Sequence, residues 1–166
     1  MAQTRETRFS MRLKIVFALI AGGALFAAGK YEGPVPAKPD IPYLLQASAL
    51  VETEVADAKE GRKNDTYTIS GSSSPARTPL AEPIFIIDAR QIQPETFELY
   101  RLDVKGSNRE VSLSGNRGRH GSRALHLEVK PLSGHLFRME ADEPLENGEY
   151  ALSASGDNRA FCFEIY

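Results

Sequence analysis

Apolar and polar residues alternate with a period of two over most of the second half of the chain. Leu125, Leu127 and Val129 alternate with His126, Glu128 and Lys130. Tyr150 and Leu152 alternate with Ala151 and Ser153, and Phe161, Phe163 and Ile165 share one face of the last segment. Period two is the signature of a strand with one face buried. Phe97 to Lys105 is rich in aromatic and branched residues. Val111 and Leu113 lie on one face of 109–114, and Phe137 and Met139 on one face of theirs. Ile84 to Ile87 is a continuous apolar run suited to a buried strand. Turn signals punctuate these runs at Lys105-Gly106-Ser107-Asn108, Glu146-Asn147-Gly148 and Ser155-Gly156-Asp157-Asn158. The Asn147-Gly148 pair is the strongest short hairpin signal among them. Seven strands are therefore predicted between residues 83 and 166. No stretch has a 3.6-residue period long enough to supply the helical crossovers of a parallel sheet. The predicted fold is all-β, an antiparallel sandwich or barrel.

Leu145-Glu146-Asn147-Gly148-Glu149-Tyr150 resembles the tyrosine corner of immunoglobulin-like folds, in which a Tyr opening the penultimate strand bonds upstream backbone. It favours an immunoglobulin-like antiparallel β-sandwich over residues 83–166, with Tyr150 as its corner. Residues 43–82 read as an N-terminal hairpin extension and linker. Val51, Thr53 and Val55 alternate with Glu52 and Glu54, and Tyr67 and Ile69 with Thr66 and Thr68, which fits a long hairpin. A short helix over Ala47 to Lys59, rich in Ala and Glu, is the rival. Residues 71–83 hold three prolines and a run of small residues, the composition of a linker or long surface loop. Residues 30–42 hold four prolines and predict an extended spacer, because each Pro fixes φ and lacks an N–H.

The N-terminus follows a different pattern. Arg5, Arg8, Arg12 and Lys14 precede an unbroken apolar run from Ile15 to Gly29. Fifteen residues of helix rise about 22 Å, short of a hydrocarbon core about 30 Å thick. A basic start, a short apolar core and small residues at its end describe a signal helix for export, with Ala27 and Gly29 at the positions before a cut ahead of Lys30. A retained membrane anchor and a buried core helix are the alternatives. Residues 1–29 are assigned as signal peptide. Contact with a membrane is expected only if they are retained.

Composition adds limits. Of 166 residues, 42% are apolar and 25% charged, which excludes a wholly disordered chain. Removing residues 1–29 takes away four bases and one acid. It leaves 16 bases and 21 acids, a net charge of −5. A mildly acidic chain is a poor general binder of nucleic acid. The single Cys excludes a disulfide framework and any multi-Cys metal site.

Ile41 to Leu45, Leu99 to Asp103, and Leu145 to Tyr150 followed by Phe161-Cys162-Phe163 give residues 41–166 a resemblance to a group of small exported bacterial proteins of unknown function. The resemblance implies a bacterial source and a periplasmic or extracellular location. It brings no catalytic residue, cofactor or substrate.

No constellation assembles into a catalytic set. The serines show no Gly-x-Ser-x-Gly elbow and no Ser-x-x-Lys pair. His126 and Glu128 would share a strand face, yet zinc asks for three or four ligands, so no metal and no cofactor is assigned. His135 falls in phase with Phe137 and Met139 and is expected to be partly buried. Glu140, Asp142, Glu143, Glu146 and Glu149 cluster near a turn without the spacing of a helix–loop–helix calcium site. The most unusual segment is 114–123, with three Gly, three Arg and one His between two predicted strands. Arg117, Arg119, His120 and Arg123 could hold an anion, an acidic glycan or an envelope protein on a loop tip. No aromatic lies within it to stack on a base. Cys162 is out of phase with Phe161 and Phe163 and is expected as a buried thiol or an intermolecular partner.

The resulting expectation is a non-enzymatic exported module of the cell envelope. Two alternatives are an enzyme using carboxylates among Asp88, Asp103 and Glu128, and a carbohydrate-binding module built on Tyr100 and Tyr150.

Overall fold

Branched and aromatic residues at alternate positions give each strand one apolar face that must be covered, and the residues of two sheets meet in one core to cover it. The structure is a computed structural model that describes residues 31–61, 65–113 and 122–166; residues 1–29, the expected signal, lie outside them. The strands are β1 (Tyr43–Gln46), β2 (Ala49–Glu52), β3 (Glu54–Asp57), β4 (Lys59–Glu60), β5 (Thr66–Ser70), β6 (Arg77–Thr78) and β7 (Ile84–Asp88). They continue with β8 (Phe97–Lys105), β9 (Asn108–Ser112), β10 (Leu127–Ser133), β11 (Leu136–Ala141), β12 (Gly148–Ala154) and β13 (Arg159–Ile165). All seven strands predicted after residue 83 are present. Among the described residues the only helical turn is a 3₁₀ turn at Pro94–Thr96, and none is long and apolar enough to cross a membrane.

The first sheet runs β10-β11-β7-β1-β2, and the second runs β3-β13-β12-β8-β9-β5-β4. Among the described residues every ladder is antiparallel except the short pairing of β6 with β13. The main core lies between Phe85, Ile87 and Met139 of the first sheet and Leu99, Leu152 and Phe163 of the second. The ring of Phe85 meets that of Phe163 edge-on at 5.0 Å, and Tyr150 stacks on Phe163 at 5.5 Å. Such aromatic contacts add about 0.5–1.5 kcal/mol beyond the area they bury.

The second sheet curls until its two ends meet. β3 and β4 are one bent strand interrupted only by Ala58. β3 pairs with β13, while β4 pairs with β5 at the far end of the same sheet. The pairing order therefore closes almost into a barrel. Its interior is a second cluster formed by Ile69, Leu102, Val111, Ala151, Ala160 and Cys162. β12 and β13 are thus buried on both faces. The out-of-phase residues Ala151, Ala160 and Cys162 are small because they face the inside of a narrow barrel.

Several expectations change. Residues 49–52, 54–57 and 59–60 are strands, as in the hairpin reading and unlike the rival helix, but only β4 pairs with β5, while β2 pairs with β1 and β3 with β13. β1–β6 from 43–82 are laid into both sheets through β7, β9 and β13. The stretch 71–83 is no loose loop at its start: Ser74, Ala76 and Thr78 are buried along β13. Its alternation was hidden by small residues and prolines. Asn147-Gly148 does not close a hairpin, because β11 and β12 belong to different sheets. Gly148 instead sits where a Cβ would come within 3.4 Å of the Arg101 guanidinium. In contrast, the Lys105–Asn108 turn is a hairpin with Gly106 at φ 62, a value costly for any residue with a Cβ.

The proline-rich segment docks before the first strand. Pro36 and residues 40–42 are buried. Asp40 adopts φ 57 and accepts three backbone N–H bonds on Oδ1, from Arg90, Gln91 and Ile92 at 2.8, 2.9 and 3.1 Å. Burial alone would raise its carboxyl. The three amides outweigh burial and hold it below the ordinary aspartate value.

Candidate functional site

The interior of the curled sheet is plugged at one end and open at the other. The plug is Arg109 on β9, fully buried. Its five N–H donors meet five acceptors. Nε donates to the Gly71 carbonyl at 3.0 Å. Nη1 donates to Glu54 Oε2 at 2.7 Å and Glu149 Oε2 at 3.4 Å, and Nη2 to Glu54 Oε1 at 2.8 Å and the Ser70 carbonyl at 2.9 Å. Glu149 also accepts the Ser74 amide on both oxygens. Burial works against the Arg109 charge and the facing carboxylates outweigh it. Burial is the largest influence on Glu149 and pushes its carboxyl up, opposed by Arg109 and the Ser74 amide. A charge this deep is tolerated because every donor is met.

Along the ladders Cys162 stands opposite Glu54, Leu102 opposite Glu149 and Ile69 opposite Arg109, and Ala151, Ala160 and Val111 complete the interior. Burial pushes the Cys162 thiol up to about 12, so it stays protonated. Toward the mouth the interior opens into a cavity of about 320 Å³, near the lower end of the roughly 300–1,000 Å³ typical of small-molecule sites. One wall is small: Ala58, Ala151, Ser153, Gly156 and Ala160. The opposite side is Tyr67, Tyr100, Ile69, Val111 and Leu113. A barrel this narrow is ordinarily filled by its own side chains. Alanines at the strand positions that would fill it leave the space.

The rim is acidic. Tyr100 donates from its hydroxyl to Glu98 Oε2 at 2.5 Å. Burial first and Glu98 second hold that hydroxyl protonated far above the ordinary tyrosine range. Asp157 lines the mouth, but Arg159 occupies both its oxygens, at 2.9 Å from Nε and 2.6 Å from Nη2 to Oδ2 and 3.1 Å from Nε to Oδ1. A second hollow of about 360 Å³ adjoins the cup across Tyr100, Leu113 and Ser153, and Glu95 and Glu98 line it.

Of the residues singled out from sequence, Tyr100 lines the cup and the hollow beside it. Arg117, Arg119 and His120 lie outside the described residues. Arg123 is exposed and pairs with Glu143 of the same chain at 2.8 Å. Tyr150 opens β12 and its hydroxyl donates to the Glu146 carbonyl at 2.8 Å; the ring is buried in the main core and offers no glycan platform. His126 meets Asp142 at 2.8 Å while Glu128 pairs with Lys130, so the two do not converge. His135 is exposed, not partly buried, because it sits in the β10–β11 turn. The acids of 140–149 are spread over separate partners, among them Arg138, Arg101 and Arg109. Among the described residues no group of three metal-binding side chains forms.

The three carboxylates considered for hydrolysis are scattered. Asp88 stands opposite Leu136 and Glu128 opposite Glu140 along β11. Four residues of strand separate them by about 13 Å along the strand axis alone, beyond the roughly 6.5–9.5 Å that lets two carboxyls share one glycosidic bond and a water. Asp103 is on the other sheet. The cup itself went unread in the sequence. The only signal was the small residues at the out-of-phase positions of β12 and β13, together with Ala56 and Ala58. Comparison of the chain with protein-family models, with curated proteins and with solved structures finds no match in any of the three.

Proposed function

We propose that the protein is a non-enzymatic binding module, exported to the periplasm or beyond, that holds the apolar body of a small ligand in the mouth of its curled sheet. The observation that carries this reading is the cup: a cavity of about 320 Å³ with alanines where a filled barrel would place large side chains. Its apolar walls supply affinity through burial, about 25 cal/mol for each Å² removed from water. The plug of Arg109, Glu54 and Glu149 holds the base rigid, so little order must be gained on binding. The two facing sheets and the Tyr150 hydroxyl bond support an immunoglobulin-like sandwich as the ancestry of the scaffold, with the curl of the second sheet as its departure. The apolar N-terminal run supports export, and mass spectrometry of the mature N-terminus from fractionated cells tests it.

The binding reading is tested with N-phenyl-1-naphthylamine, a neutral apolar fluorophore. Saturable enhancement at one probe per chain is expected, lost in Ser153→Leu, which fills the mouth, and kept in Glu128→Gln. Absence of saturable binding, or binding untouched by Ser153→Leu in a folded variant, overturns it.

A further inference from the structure

The cup and the hollow beside it share Tyr100, Leu113 and Ser153, so a ligand seated in one can extend into the other. Their chemistries differ. The cup is walled by aliphatic and aromatic carbon, while the hollow carries Glu95, on the 3₁₀ turn, and Glu98, on β8. Both glutamates are exposed. Among the described residues no Lys, Arg or His lines either space, and neither glutamate enters an ion pair. The Tyr100 hydroxyl points its one proton at Glu98 Oε2, leaving the other oxygen and the remaining lone pairs as acceptors. Asp157, the third acid of the rim, is already neutralised by Arg159.

From this juxtaposition we infer that the ligand of the cup is a cationic amphiphile, an apolar ring or short alkyl body bearing an ammonium group that reaches Glu98 and Glu95. The inference rests on the cup being a binding site and adds the charge of what it holds. An ammonium donates three hydrogen bonds and accepts none, which matches a rim of acceptors. The faces of Tyr67 and Tyr100 add attraction for a cation that neutral or anionic ligands lack. A carboxylate placed there would meet two glutamates, with no base among the described residues of the lining to offset them.

The test uses three ligands with a common phenyl ring: 2-phenylethylammonium, 2-phenylethanol and phenylacetate. Each is titrated into the purified protein while the backbone amides of Gly156 and Asn158 are followed by NMR. The expected order is ammonium, alcohol, carboxylate, with about ten-fold between the first two at low salt, shrinking as salt screens the exposed glutamates. Glu95→Gln with Glu98→Gln should reduce that ratio to about two-fold. Equal binding of all three, or an undiminished ratio in the double variant, overturns the charge assignment and leaves the cup reading in place. No shift from any of the three overturns the cup and this inference together.

Discussion

The Arg109 guanidinium and the Glu54 carboxylate meet through two parallel hydrogen bonds of 2.7 and 2.8 Å, which tie β9 to β3 past the end of β5. This is where the curled sheet lacks a backbone ladder, so a side-chain fork closes the seam. Removing one member of such a buried pair leaves the other uncompensated. Arg109→Ala is expected to cost about 3–5 kcal/mol near neutral pH, read by urea unfolding followed by far-UV circular dichroism. Arg109→Lys should recover only part, because an ammonium has three donors where five acceptors wait. The loss also has a pH signature. Glu149 has a raised carboxyl even with Arg109 present. A raised folded-state value means stability fully present below the ordinary glutamate value and lost as pH rises from there through the raised one. The Arg109→Ala penalty should therefore shrink on going from pH 7 toward pH 4. A penalty independent of pH would remove Glu149 from the account.

Asp40 has the opposite sign. Its carboxyl is depressed by three amides of the 90–92 loop, so its contribution is full above the unfolded value of about 3.9 and fades as pH falls through the folded one. Asp40→Asn keeps an acceptor oxygen and a residue type tolerant of φ 57. It removes only the charge, and the expected cost is about 1 kcal/mol between pH 5 and 7. As pH falls below about 4 the variant and the natural protein should draw together, meeting only beneath the lowered folded-state value. Parallel stability curves through that range would show that the amides do not read the charge.

How far the sequence could be read follows from the size of the residues that carry the pattern. Phe161, Phe163, Tyr150 and Leu152 announce their face by hydrophobicity, so the strands of the second half and their alternation were legible. Ser74, Ala76 and Thr78 alternate just as regularly, but small and hydroxylated residues carry no such contrast, and 71–83 read as loop. Asn147-Gly148 illustrates a different limit. A turn signal specifies local backbone, and only the tertiary arrangement decides whether the chain returns to the same sheet or crosses to another. The plug was invisible for a third reason. Glu54, Arg109 and Glu149 are far apart in sequence, and each reads as an exposed polar position on its own strand. It is the curl that turns those faces inward. The cup is legible only as a deficit, the alanines where larger residues would have filled it.

Cys162 sits between that plug and the cup with no exposed surface, and burial raises its thiol to about 12. A protonated, covered thiol is inert to disulfide exchange. In the folded protein at pH 8, Ellman's reagent is expected to label it only as fast as the chain opens globally, and at once in denaturant. The labelling rate should rise with urea in parallel with unfolding, and Arg109→Ala should accelerate it. Fast labelling of the intact protein would place Cys162 outside the barrel interior.

Tyr150 offers the sharpest separation of a hydrogen bond from packing. Its ring stacks on Phe163 at 5.5 Å and its hydroxyl donates to the Glu146 carbonyl at 2.8 Å. Arg101 binds the same turn, donating to Glu146 Oε2 at 2.5 Å and to the Asn147 carbonyl at 3.2 Å. Tyr150→Phe preserves the stack and removes one bond, for an expected loss of about 1 kcal/mol with an unchanged urea m-value. Arg101→Ala removes an exposed pair and should cost about 0.5 kcal/mol. Because both hold the 146–148 turn at the entry to β12, the double variant should depart from additivity, as neighbours that share a partner do. Strict additivity would mean that the hydroxyl and the guanidinium brace the turn independently, and that Tyr150 acts through its ring alone.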